Sequence, residues 1–207
     1  MKAGNPYDEK YASKEYYWGK KPSDICDKVI EIMHPREDSQ LKLLDLGCGE
    51  GRNAVYFAKR GFEVVGIDLS AAGLEKTRRY AEEAGVHVRT VQADIINYQI
   101  TDTFDVVFST GTLQFLPLKV RNERFQNYKD STSSNGINVF SVFVFKPFIP
   151  KSSEVEEPSF PYRSGELMGY YWDWEILYCI EEIFDCMSSG IPHKHAVNRI
   201  IARRYRK

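Results

Sequence analysis

Three glycines at every second position, Gly47, Gly49 and Gly51, crowd the stretch LLDLGCGEGRNAVYFAKRG between Leu43 and Gly61. A turn so bare of side chains lets a ligand lie against the backbone, and the helix that follows offers free N–H groups at its start. Two acids join it from further along the chain. Asp68 closes the apolar run FEVVGIDL, where a carboxylate can accept hydrogen bonds from both hydroxyls of a ribose. Asp94 closes the next such run, VHVRTVQADI. Three consecutive strands that each finish in a polar group place that group in the crevice where open α/β sheets bind ligands. A nicotinamide dinucleotide is the rival ligand. Its fingerprint is G-x-G-x-x-G, whereas the spacing here is G-x-G-x-G, and Glu50 inside the turn would repel a pyrophosphate. A zwitterionic amino-acid tail tolerates that acid better, and the chain has no second catalytic domain.

The elements that must position these residues alternate in type. LKLLDL, FEVVGIDL, VHVRTVQADI, FDVVFST and GINVFSVFVF are short, nearly continuous apolar runs, as expected of strands buried on both faces of a parallel sheet. Between the first two, RNAVYFAKR reads as a helix stopped by Gly61. Ser70 caps a second helix, AAGLEKTRRYAEEA, which Gly85 ends, and Ser23 is the expected cap of SDICDKVIEIM. Strand, helix, strand, helix argues for an open, doubly wound α/β sheet. Beyond Phe145, KPFIPKSSEVEEPSFPYRSGE reads as a long proline-rich loop of the kind that serves as a lid. A short helix at GELMGYYW and strands at WEILYCIEEIF and AVNRIIARRY complete the chain.

Composition bounds the rest. The 207 residues, 23.9 kDa, suit one domain. A formal net charge of −1 leaves no basic excess for a phosphate backbone, so nucleic acid is not an expected partner. Aromatics at 14% point to a pocket rich in rings. Cys26, Cys48, Cys179 and Cys186 form no CxxC pair and no secretory signal precedes them, so they are expected as reduced, buried thiols of a cytoplasmic protein. No apolar run approaches the ~20 residues of a membrane span.

On these residues the chain resembles the class I S-adenosylmethionine-dependent methyltransferases over nearly its whole length. LLDLGCGEGRN resembles that superfamily's first motif, VVGIDLS its second, QADI its adenine-edge motif, and FDVVFSTGTLQFL its fourth strand and the segment after it. YYWGKKPS, GRNAVYFA, STGTLQFL, GINVFSVFV and GELMGYYWDWE make the likeness one to the tellurite-resistance, TehB-like methyltransferases. The resemblance implies a Rossmann-like α/β fold: a doubly wound, mostly parallel seven-stranded sheet with an antiparallel C-terminal edge strand. It implies one domain over 1–207, with a lid and helix in 1–40, a cofactor-binding core in 41–145 and an acceptor-side segment in 146–207. It implies S-adenosyl-L-methionine as cofactor and S-adenosyl-L-homocysteine as product. By the same resemblance Gly47, Cys48 and Gly49 line the methionine portion and Asp45 orients its ammonium. Asp68 holds the ribose, Leu69 packs the adenine, Asp94 and Ile95 meet the adenine edge, and Ser109 faces the sulfonium. Trp18, Gly19, Lys20 and Pro22 cover the cofactor.

The acceptor half is where the family pattern fails. Methyl transfer from a sulfonium is an in-line displacement, so the protein supplies mainly proximity and alignment, with a base only if the acceptor must lose a proton. A small acceptor is expected, a tellurite- or selenite-type oxyanion or a thiol. The family's Gly-Glu-Leu-His-Arg stretch, whose His and Arg hold the oxyanion, corresponds here to EEIFDCMSSG, which has neither. Arg163, His193 and His195 are the substitute cations, with Lys194 between the histidines. HKH has no carboxylate or Cys partner at ligand spacing in the sequence, so no metal is expected. The missing pair keeps a second function open, a module that binds the cofactor without transferring its methyl. Aminopropyl transfer would want further acids near STGTLQ, and the sequence has none there.

Overall fold

The computed structural model describes residues 6–35, 40–150, 159–187 and 192–205. Seven strands form one sheet in the order β3-β2-β1-β4-β5-β7-β6. They are β1 Lys42–Leu46, β2 Glu63–Asp68, β3 Val88–Gln92, β4 Phe104–Thr110, β5 Thr132–Val144, β6 Glu175–Cys186 and β7 His193–Arg203. The helices are α1 Pro6–Tyr11, α2 Ile25–Met33, α3 Arg52–Ala58, α4 Ala71–Glu83, α5 Leu118–Asp130 and α6 Glu166–Gly169. β1 to β5 are parallel to their neighbours in that part of the sheet.

Successive strand residues point to opposite faces, so each strand feeds two cores. Leu43, Val64, Val106 and Val139 meet Val55 and Phe57 of α3, Leu74 of α4 and Val29 of α2 on one side. Leu44, Val65, Val107 and Phe140 meet Phe125 and Tyr128 of α5 on the other. Coverage on both faces is the reason these strands are apolar throughout. The chain runs outward from β1 to β3 and then returns to lay β4 on the other flank of β1. That reversal puts a crevice at the carboxyl ends of β1 and β4, directly beyond the glycine turn.

The C-terminal strand β7 is the antiparallel one, pairing β5 from Ile137↔Arg203 to Val144↔Ala196. It lies one place in from the edge, because β6 pairs along its outer side and becomes the edge strand itself. Ser70 caps α4 as its type predicts, its Oγ accepting from Gly73 N at 3.1 Å. Ser23 does not cap α2: Asp24 precedes that helix, while the Ser23 N–H donates to Asn53 Oδ1 at 2.9 Å. The thiols divide. Cys26 and Cys48 are buried, Cys186 is half-buried and Cys179 is exposed, and all four are outside disulfides.

The proline-rich loop is fastened to the sheet where it returns. Phe160 N donates to Gln114 O, and Tyr162 exchanges backbone hydrogen bonds with Phe143 and Phe145, fastening the returning segment to the end of β5. The middle of the loop, 151–158, lies outside the described residues. Arg121 of α5 anchors the same return. Its guanidinium, 1% exposed, donates to Leu116 O, Phe160 O and Glu166 Oε1 and lies 3.7 Å from the centre of the Tyr162 ring. Removing one partner of a buried ion pair strands the other and costs about 3–5 kcal/mol. Arg121→Met should therefore lower the urea midpoint by a stability loss of about 3 kcal/mol or more. A midpoint shift worth less than about 1 kcal/mol would remove Arg121 as the anchor.

Candidate functional site

A cavity of about 690 Å³ opens over the carboxyl edge of the sheet. Its floor is the glycine turn. Gly47 has φ +76°, and a Cβ there would stand 2.1 Å from the Thr112 side chain, so neither the conformation nor the space admits another residue. Gly47 N and Cys48 N both donate to Ile67 O, at 2.7 and 2.9 Å, which locks the turn to the end of β2. Gly49 N donates to one Asp68 oxygen and Ser70 N to the other, each at 2.8 Å. Burial raises the Asp68 carboxyl above its ordinary range and these two N–H groups pull it back. Each oxygen keeps a further lone pair for a ligand hydroxyl.

Asp45 sits in β1 just ahead of the turn, 1% exposed, with its Oδ2 buried and without a hydrogen-bond partner. Burial, then the nearby Asp68 charge, push its carboxyl up to about 7, against a weaker pull from Arg52. A buried carboxylate with an unused oxygen is costly unless a cation or donor meets it. Asp94 holds the start of the next turn, accepting from Ile96 N at 2.9 Å. Cys48 is a buried thiol whose pKa burial raises, so it packs rather than reacts.

Of the residues expected to hold a cofactor, Trp18, Gly47, Cys48, Asp68, Leu69, Asp94 and Ile95 line the cavity, as do Gly19 and Pro22. Asp45 and Gly49 form the layer beneath. Two expectations are corrected. Ser109 faces away, fully buried, its Oγ donating to Leu46 O at 2.7 Å, and the next residue, Thr110, takes the place at the wall. Lys20 also lies off the cavity, paired with Glu83 at 2.8 Å over the rings of Tyr16 and Tyr80. On the acceptor side Arg163 is exposed and away from the wall, its backbone N–H donating to Glu166. His193 and His195 stand behind the wall rather than in it.

Several lining residues carried no clear sequence signal. Asn53 donates to Thr110 Oγ1 at 3.1 Å while its Oδ1 receives Ser23 N, so it joins the cover to the fourth strand. Tyr7 and Tyr11 come from α1, a helix too short to read from periodicity. Ser141, Phe143, Phe184 and Arg199 close the far wall. Arg199 alone was detectable, as a charge inside the apolar run of β7, in step with the lining Val197. It is ion-paired with Glu182. Gln114 is 5% exposed and its Oε1 has no hydrogen-bond partner.

Glu50 does something other than repel. Its carboxylate, buried, takes Lys76 Nζ at 2.7 Å and the backbone N–H groups of Tyr17 and Trp18 at 3.1 and 3.2 Å. The Lys76 charge cancels its own, so Glu50 is no argument against a pyrophosphate. It is instead the fastening of the N-terminal cover, which Trp18 Nε1 reinforces by donating to Tyr11 Oη at 3.1 Å. Glu50→Gln should cost about 3 kcal/mol by stranding Lys76. The pair Glu50→Leu with Lys76→Met should recover most of that stability, yet trypsin should cut faster after Lys20 than in the wild type. Unchanged cutting would show that the cover is held by something else.

The geometry can be set beside known proteins. The family model described as "Tellurite resistance protein TehB" matches residues 6–199. A Haemophilus influenzae protein named "Probable S-adenosyl-L-methionine-dependent methyltransferase TehB" is 28% identical over 167 residues, 81% of this chain and 57% of that protein. The chain thus spans little more than half the length of that relative. The 2-heptyl-1-hydroxyquinolin-4(1H)-one methyltransferase of Mycobacteroides abscessus is 31% identical over 159 residues, 73% of this chain and 68% of that one. The crystal structure of TehB from Haemophilus influenzae shares the fold with a TM-score of 0.77 at 24% identity, over 96% of this chain and 65% of that one. With its glycine turn, its strand-end acids and a family match running from α1 into β7, this chain belongs to the TehB tellurite-resistance protein family.

Proposed function

We propose that the chain is a methyltransferase that uses S-adenosyl-L-methionine and acts on a small acceptor seated against Thr110, Ser141, Phe143 and Arg199. One observation carries the reading: Asp68 at the end of β2 and Asp94 just beyond β3 lie side by side along one flank of the glycine turn and face one cavity with it, while a buried oxygen of Asp45 is left unused. The donor set fits the cofactor. Asp45 has an oxygen for the cationic amino-acid end, Asp68 has lone pairs for a ribose, and half-exposed Leu69 with Ile95 offers an apolar slot for a purine. Bound there, the cofactor supplies an activated methyl on a sulfonium. The chain's own residues bind and align it, while Trp18 and the rings of Tyr7 and Phe115 restrict water.

Among the described residues Arg199 is the cation at the far wall, where Glu182 offsets its charge, while Lys21 and Arg52 line the cavity elsewhere. Phe143 and Phe184 add apolar surface beside the hydroxyls of Thr110 and Ser141. That supports an acceptor with an apolar body and a polar or thiol group more than a bare tellurite- or selenite-type oxyanion. The cofactor-binding module remains the second reading, motivated by the missing His-Arg pair. Incubation with labelled cofactor and a panel of selenite, tellurite, thiols and small hydroxylated aromatics separates the two, since the module would form no S-adenosylhomocysteine with any of them.

Two outcomes test the cofactor assignment. Asp68→Ala should weaken S-adenosylmethionine binding by about 1–3 kcal/mol, about 5- to 150-fold, in calorimetry; unchanged affinity would remove the ribose assignment. The second is a pH profile. Asp45 titrates near 7, and a cationic ligand prefers its ionised form, so affinity should fall as pH drops through 7. Without ligand the sign reverses. The folded state binds more protons than the unfolded between the ordinary value of 3.8 and about 7, so Asp45 lowers stability as pH rises across that window. Asp45→Asn should flatten both profiles, and a profile that survives it belongs to another group.

A further inference from the structure

β6 and β7 run antiparallel along the outer edge of the sheet, and their register sets Cys186 opposite His193. His195 lies two residues further along β7, on the same face as His193 because side chains alternate along a strand. The two Nε2 atoms are 2.9 Å apart. The Cys186 sulfur and one ring nitrogen from each histidine all lie within 4.8 Å of one another, with all three residues half-buried. In sequence the cysteine and the histidines stand apart in CMSSGIPHKH, so adjacency along the chain hides what strand pairing brings together. Thus the expectation that these histidines lack a Cys partner does not survive the fold.

We propose that Cys186, His193 and His195 bind a borderline-soft divalent transition-metal ion, Zn²⁺ being the probe. The ligand chemistry selects it. One thiolate and two imidazoles suit Zn²⁺ and its neighbours, while Mg²⁺ and Ca²⁺ want oxygen, which this trio does not offer. Distances agree. Bonds of about 2.0–2.1 Å to nitrogen and about 2.3 Å to sulfur around a tetrahedral ion separate its ligand atoms by roughly 3.3–3.6 Å. Small side-chain rotations reach that from the arrangement present. Three protein ligands leave a fourth position for water or an added anion.

The site has a structural and a spatial consequence. It ties β6 to β7 at the end where the chain passes from one strand to the other, on the edge where the sheet has no further neighbour on the β6 side. It also stands against the acceptor wall, because the His195 ring packs 4.7 Å from that of Phe143 and 5.7 Å from that of Phe184, both cavity-lining. Metal binding would therefore hold those two rings in place. Nothing in this depends on methyl transfer, and either reading can fail alone.

The test uses Co²⁺ as a spectroscopic stand-in on the full chain, after chelation and dialysis. One equivalent should give d–d bands of tetrahedral intensity with a near-ultraviolet thiolate-to-cobalt charge-transfer band, and one equivalent of Zn²⁺ should abolish both. Cys186→Ser should remove the charge-transfer band and weaken Zn²⁺ by more than about 100-fold, beyond the loss caused by removing an outer partner of a ligand. His195→Gln should weaken Zn²⁺ comparably, and Cys179→Ser, which changes the exposed thiol of the same strand, should alter nothing. Should the variants fold poorly, the wild type still decides: Zn²⁺ should protect Cys186 from alkylation, read by peptide mass, and leave Cys179 reactive. No charge-transfer band, a band that persists in Cys186→Ser, or equal alkylation of Cys186 with and without Zn²⁺ would overturn the site.

Discussion

Glu50 and Lys76 form a buried ion pair where the glycine turn, helix α4 and the N-terminal segment meet. Both charges have left water, a cost that only close geometry and further hydrogen bonds offset. Here the offsets are visible: Lys76 also donates to Glu15 O, and Glu50 also receives the Tyr17 and Trp18 N–H groups. The pair thus couples the presence of the cover to the shape of the turn. Without it, the segment carrying Trp18 would be left with Tyr11, Arg52, Asn53 and the Lys20–Glu83 pair to hold it across the cavity mouth.

The cavity itself follows from topology more than from any single residue. Parallel strands leave their carboxyl ends together, and the reversal of chain direction around β1 leaves a gap between the loops that follow β1 and β4. Glycine keeps that gap open at Gly47, where Thr112 already occupies the space a side chain would need. Asp68 then fixes the turn from the neighbouring strand through Gly49 N. The same carboxylate that stiffens the turn faces the cavity.

The glycine turn and the acids that reach the cavity were legible in the sequence, because their signals are local: apolar runs ending in Asp68 and Asp94, and glycines at fixed spacing. The errors have physical causes. Helix α5 escaped notice because its buried face, Arg121, Arg124, Phe125 and Tyr128, puts two arginines where apolar residues are expected. Ser109 and Thr110 were confused because a strand end shows alternation but not which face meets the cavity. Lys20 was assigned to the cofactor by likeness, and only the tertiary structure reveals Glu83 beside it. Arg199 and the Cys186–His193–His195 cluster depend on β7 entering between β5 and β6, a pairing that no local pattern encodes.

Two unlike halves therefore share one cavity. In the proposed reading the donor side is built from backbone, acids and apolar slots and the acceptor side from Arg199, Phe143 and Phe184, all within the span of the TehB family match, with a half-buried Cys-His-His cluster behind. A crystal structure with S-adenosylhomocysteine bound tests the account most directly. The ribose should sit on Asp68, the amino group should approach Asp45 over Gly47, the purine should lie between Leu69 and Ile95, and the sulfur should point toward Thr110 and Phe143. A ligand seated elsewhere, or one with its sulfur turned from that wall, would contradict it.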